Sequence, residues 1–125
     1  PISNLLDMHQ AFIGVDSGKT KRASHLPYLE KLLGTDGVTC DQRTGAAAVP
    51  LCLVASGKLD AMLATQLNPE DMAAAVVIIR EAGGKVTTLA GVEEDEKGEE
   101  WVLGNKTILA ANPELHEKLA EFLKV

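Results

Sequence analysis

The sequence has 125 residues, 46% hydrophobic and 24% charged, with a formal net charge of −6. That is one domain, long enough to bury about two-thirds of its unfolded surface without disulfides or a structural metal. The composition excludes a disordered tail, a collagen-like chain and a coiled coil. Most of the charge sits in one stretch: Glu93, Glu94, Asp95, Glu96, Glu99 and Glu100, set against Lys97, carry −5 of the −6.

In chain order, Ala11 to Asp16 is a short β-like run, and Ser24 to Leu33 carries Leu26, Leu29, Leu32 and Leu33 at helical spacing, closed by Gly34. Val38 to Arg43 reads as a second strand. Thr44 can cap a helix that runs through Ser56 and stops at Gly57, with Pro50 inside it expected to bend or shorten it. Leu59 to Ala64 is a third strand. Asn68-Pro69-Glu70-Asp71 is a dense helix start: a cap, a proline at the first position, then two acids at the positive end of the dipole. Met72 to Ala82 is apolar on nearly every face, which predicts a helix covered on both sides, ended by Gly83-Gly84. Val86 to Leu89 is a fourth strand and completes a β-α-β unit. After the acidic stretch, Thr107 to Ala111 is a fifth strand, followed by a helix from Pro113 to Leu123. This alternation predicts an α/β fold: a layered α/β/α domain with a five-stranded, mainly parallel sheet.

The longest apolar run, around Ala46 to Ala55, is about half the roughly twenty residues that a membrane-spanning helix needs, so no membrane crossing is expected. No secretory signal is visible at Pro1 to Asp16, which makes a cytoplasmic location the default expectation. Cys40 and Cys52 have no histidine at ligand spacing and read as buried thiols in a reducing compartment. No basic stripe exists, and the aromatics are only Phe12, Tyr28, Trp101 and Phe122, so nucleic acid is not an expected partner. The acidic stretch lacks the Asp/Asn spacing and central glycine of a calcium loop and reads as a solvated loop.

Four constellations could carry chemistry. Gly14 to Thr20 follows a strand and ends in Gly-Lys-Thr, but three residues separate its glycines where a phosphate loop needs four, and Pro27 would interrupt the long helix that should follow. An ordinary βα loop is the better reading. Asp71, with Glu70 beside it and Asp60 nearby in sequence, is either a dipole partner of its own helix or a metal ligand. His9, His25 and His116 are far apart and pair with no serine or cysteine elbow, which speaks against a hydrolytic triad and for surface positions. Thr44-Gly45-Ala46-Ala47-Ala48 is a helix start of very small side chains. Either a ligand approaches its free amides or the helix packs closely on the sheet.

Several ordered segments together resemble the inositol monophosphatase family: Gly45 to Val49, Leu51 to Ala61, Pro69 to Ala75, Arg80 to Gly84, and Ile108 to Leu115. The resemblance runs from Ala11 to the C-terminus. It covers only the C-terminal domain of that family, whose members are about twice as long. The family's N-terminal half carries a metal-binding glutamate and an Asp-Pro-Ile-Asp-Gly-Thr segment, neither of which is in this sequence. The residues up to Gln10 are similar to the last stretch before the family's C-terminal domain.

The resemblance implies roles for individual residues. Asp71 matches the aspartate of the family's Trp-Asp pair, which ligates magnesium and helps orient the attacking water; the tryptophan is Glu70 here. Gly45, Ala46 and Ala47 match a Gly-Ser/Thr-Ala segment that lines the substrate pocket, with Ala46 in place of the hydroxyl residue. Ala64 stands where inositol-specific members carry a glutamate that binds substrate hydroxyls. Loss of that acceptor removes a contact worth about 1–3 kcal/mol and argues against strict inositol specificity. The resemblance therefore implies the C-terminal portion of a Mg2+-dependent phosphomonoesterase acting on a small phosphorylated polyol or related metabolite. Its expected partners are the missing N-terminal half or a second subunit, with homo-oligomer formation. This chain alone is expected to be inactive. The rival reading is a non-catalytic α/β interaction module that pairs with another chain.

Overall fold

Five strands pair into one sheet in the computed structural model, which describes residues 1–16, 26–43, 48–65, 73, 77–87 and 107–123. A 3-10 turn at Met8–Gln10 leads into β1 (Phe12–Asp16), followed by α1 (Leu26–Leu33), β2 (Thr39–Arg43), α2 (Ala48–Ala55) and β3 (Ala61–Ala64). Helical residues 77–81 (α3) precede β4 (Lys85–Thr87), β5 (Ile108–Ala111) and α4 (Pro113–Phe122). The spatial order is β2-β1-β3-β5-β4.

The α/β class and the five strands are as the sequence predicts, and the sheet is mixed. β1 runs parallel to β2 and to β3, whereas β5 runs antiparallel to both β3 and β4. β3 and β4 therefore point the same way with β5 between them, and the predicted β-α-β unit joins strands that are not neighbours. The residue pattern of β5 suits this slot, because Ile108, Leu109, Ala110 and Ala111 are all fully buried. A strand covered on both faces shows no alternation from which the direction of its partners could be read.

Alternate side chains feed two cores. Met62, Ala64, Val86, Ile108 and Ala110 meet Leu51 and Val54 of α2 and Ile79 of α3 on one face. Ile13, Val15, Ala61, Leu63, Leu109 and Ala111 meet Leu29 and Leu32 of α1 and Leu115 and Leu119 of α4 on the other. The layered α/β/α arrangement follows from this two-sided burial.

α2 begins at Ala48, so Pro50 falls in its first turn, where a backbone N–H has no intrahelical acceptor to lose. It packs instead. A Cβ added to Gly14 of β1 would lie 2.9 Å from Pro50 Cβ and 2.9 Å from Leu59 Cδ1. The missing side chain at Gly14 is what lets α2 reach the sheet, which explains the first glycine of the Gly14 to Thr20 stretch without a phosphate.

Three expectations need correction. The helix after Asn68 is covered on one side only among its described residues: Ile79 is buried, whereas Val77 is 61% exposed and Ile78 is also exposed. It forms an outer layer on a single sheet face. The thiols are not fully buried: Cys52 is exposed on α2, and Cys40, on the edge strand β2, packs half-buried against the α1/α4 core. His116 is no surface residue. It lies on the sheet-facing side of α4, 2.8 Å from Thr87 Oγ1 through Nε2, so a polar pair bridges α4 to β4 inside the core.

Gly14→Ala should destabilise the chain by about 1–3 kcal/mol through overpacking against Pro50 and Leu59. Urea denaturation checks this, and an unchanged midpoint would contradict the close approach described above.

Candidate functional site

α/β sheets bind ligands beyond the C-terminal ends of their strands, where neighbouring strands send their connections to opposite faces. β1 and β3 meet this condition. They are adjacent and parallel; the chain leaving β1 goes to α1 on one face, and the chain leaving β3 goes to α3 on the other. The last residues of the two strands, Asp16 and Ala64, are partners in register, and Arg43 at the end of β2 is level with them.

Asp16 and Ala64 share a face. Ile13 and Val15 belong to the α1/α4 core, so the strand's two-residue alternation turns Gly14 and Asp16 toward the α2/α3 side, where Ala64 packs in the other core. Both residues are fully buried. The strand ends are tied together by the amide of Thr65, which donates to the Asp16 carbonyl at 3.1 Å. Asp16 is the one carboxylate among the buried polar residues of the described chain, the others being Thr65, Thr87, Asn112 and His116.

Of the residues that the resemblance singles out, Ala64 stands at the C-terminal end of β3. Gly45, Ala46, Ala47 and Asp71 lie outside the described residues, as do Glu70 and the acidic stretch of 93–100. In sequence, Gly45 to Ala47 lie between the end of β2 and the start of α2, and Asp71 lies between the end of β3 and α3.

Asp60 has a different task. Its Oδ2 accepts from the Phe12 amide at 2.7 Å and its Oδ1 from Ser3 Oγ at 2.6 Å, at the opposite end of β3 from Ala64. Asn112 works beside it: Oδ1 caps α4 by accepting from the Leu115 amide, while Nδ2 donates to the carbonyls of Ser3 and Leu5. These bonds strap residues 3–5 across the end of the sheet remote from Asp16. Among the described residues no three His, Cys, Asp or Glu side chains come together as a metal site, so those residues do not make a magnesium site by themselves. No helix among them is long and apolar enough to cross a membrane.

The family model for the inositol monophosphatase family matches residues 7–124. The chain is 43% identical over 83 residues to an inositol-1-monophosphatase of Caulobacter vibrioides, covering 66% of this chain and 30% of that protein. It is 34% identical over 125 residues to a putative Nus factor SuhB of Neisseria meningitidis serogroup B, covering 99% of this chain and 44% of that protein. Among solved structures, the extragenic suppressor protein suhB of Bartonella henselae superposes with a TM-score of 0.76 at 28% identity, over 99% of this chain and 46% of that one. An inositol monophosphatase from Anabaena shares the fold with a TM-score of 0.80 at 23% identity, over 98% of this chain and 46% of that one. The chain thus spans less than half the length of these relatives.

Burial raises the pKa of the Cys40 thiol, so less of it is thiolate near neutral pH. A thiol-specific alkylating reagent at pH 7 should therefore label exposed Cys52 several-fold faster than Cys40, with the gap narrowing as pH rises. Peptide mass spectrometry of partly labelled protein reads the order, and equal rates would contradict the packing around Cys40.

Proposed function

The chain belongs to the inositol monophosphatase family, and on that footing we propose that it is the C-terminal portion of a magnesium-dependent phosphomonoesterase acting on a small phosphorylated polyol or related metabolite. One observation carries this reading. Ala64, which the resemblance assigns to the site, ends β3 at the switch point with β1, and in sequence Gly45 to Ala47 come soon after β2 and Asp71 between β3 and α3.

On this reading Asp71 supplies one magnesium ligand, while Gly45, Ala46, Ala47 and Ala64 border the substrate. Small side chains at these four positions allow a ligand to come close to backbone. Glu70 adds a second anion next to it in the sequence. Magnesium requires near-octahedral oxygen coordination, and one or two adjacent acids leave most positions to other residues. Those ligands fall to an N-terminal half, on the same polypeptide or on a second subunit.

Val49 on α2 and Val77 and Ile78 on α3 are exposed apolar residues on one helical layer. They favour association of this layer with another chain, whether a second copy or the missing half. The same observation supports the rival reading, a non-catalytic module that pairs with another chain, and activity separates the two.

The purified 125-residue chain should show no magnesium-dependent hydrolysis of phosphate esters. Supplied with the family's N-terminal half it should become active, and Asp71→Asn in that form should cut turnover by orders of magnitude with the fold intact. Chelator-sensitive hydrolysis by the isolated chain would overturn the assignment of the missing ligands. Persistent inactivity of the complete form under magnesium would favour the interaction module.

Sedimentation of the isolated chain should show a dimer or larger species. A monomer at high concentration that binds no dye specific for apolar surface would remove the support that Val49, Val77 and Ile78 give to association.

A further inference from the structure

α2 carries no acid and no base over Ala48–Ala55, whereas α4 carries Glu114, Glu117, Lys118 and Glu121 outside its buried Leu115, His116 and Leu119. The turn at Met8–Gln10 lies against the second half of α4, and the two border an open groove of about 640 Å3. Met8 and Phe122 are its apolar lining. Each is half-buried, packed on the α1/α4 core and open toward the groove. Asp7, Glu117 and Glu121 stand around them, all exposed, against one ammonium among the described lining residues, that of Lys118. Lys118 is held by backbone, since its Nζ donates to the Leu6 carbonyl at 2.8 Å. Asp7 is fixed by its own turn, with Oδ1 accepting from the His9 amide at 2.9 Å.

We propose that this groove is a docking site for a segment of another protein in which an apolar side chain is flanked by lysine or arginine. The apolar side chain would cover Met8 and Phe122, residue types that protein interfaces favour, and the unbranched methionine adapts to the shape of what it meets. Carboxylates on the border attract basic groups during encounter and accept charge-assisted hydrogen bonds from them afterwards. The same carboxylates repel phosphate, which disfavours nucleic acid and anionic lipid as occupants. The groove lies on the sheet face opposite to the helical layer of Val49, Val77 and Ile78, so a chain that covers that layer leaves it open. Docking here does not depend on phosphatase activity.

The test titrates the isotope-labelled chain with a short synthetic peptide of leucine and arginine, and with the same peptide carrying glutamate at every arginine. The basic peptide should shift the amide resonances of Met8, Glu117 and Phe122, and the acidic one should leave them in place. Glu117→Lys should weaken binding of the basic peptide about tenfold at low salt. Glu81→Lys makes the same change in net charge on the exposed side of α3 and should weaken it by less than about twofold. Met8→Ser, in a surface turn, should weaken it severalfold by removing apolar lining. Equal effects of Glu117→Lys and Glu81→Lys, or shifts confined to residues 93–100, would mean attraction by overall charge and would overturn the docking site. So would equal binding of the acidic peptide, or no shift at Met8, Glu117 and Phe122. Shifts at Met8 and Phe122 on dilution of the protein alone would give the groove to a second copy of this chain and overturn it as well.

Discussion

β5 has to fit between β3 and β4, and the rest of the domain depends on that insertion. Each of its residues is buried, because helices cover both faces and strands flank both edges. The antiparallel ladders pair Ala61 with Ala111 and Met62 with Ala110 on one side, and Val86 with Ala110 on the other. Small residues recur at these pairs, which lets α4 and α2 pack on opposite faces of one thin sheet. The chain then turns at Asn112, whose side chain caps α4 and reaches back to the carbonyls of Ser3 and Leu5. One residue thus joins strand, helix and N-terminal segment at a single end of the sheet.

The two ends of the sheet are built differently. At one, Asp60, Asn112 and Ser3 are engaged with backbone groups and with each other. Polar side chains there satisfy amides and carbonyls that the strands leave over, which is structural work. At the other, β1 and β3 diverge to helices on opposite faces, and the strands finish on Asp16 and Ala64. The sheet thus has one strapped end and one diverging end.

Gly14 couples the two halves of this arrangement. Without a side chain it admits Pro50 and Leu59 against β1, which seats α2 on the same face as Asp16 and Ala64. The glycine is therefore a packing residue, although its neighbours in sequence give it the look of a nucleotide-binding loop. Its mid-strand position decides between the two, since a residue paired on both sides in a sheet has no amide left to cradle a phosphate.

By itself the sequence determined the α/β class, the number of strands, most helix ends and the family. These are local properties: apolar period, proline and glycine punctuation, and ordered short motifs are all written in neighbouring residues. Tertiary structure alone decided that the sheet is mixed, because a strand apolar at every position carries no mark of its partners' direction. It decided that Ile79 is inside while Val77 and Ile78 are outside, since an all-apolar helix does not say which side meets the sheet. It placed His116 in the core against Thr87, far away in sequence. Above all it set Asp16 beside Ala64: a strand end does not say in the sequence which other strand end it will meet, and parallel pairing brings the end of β3 level with the end of β1.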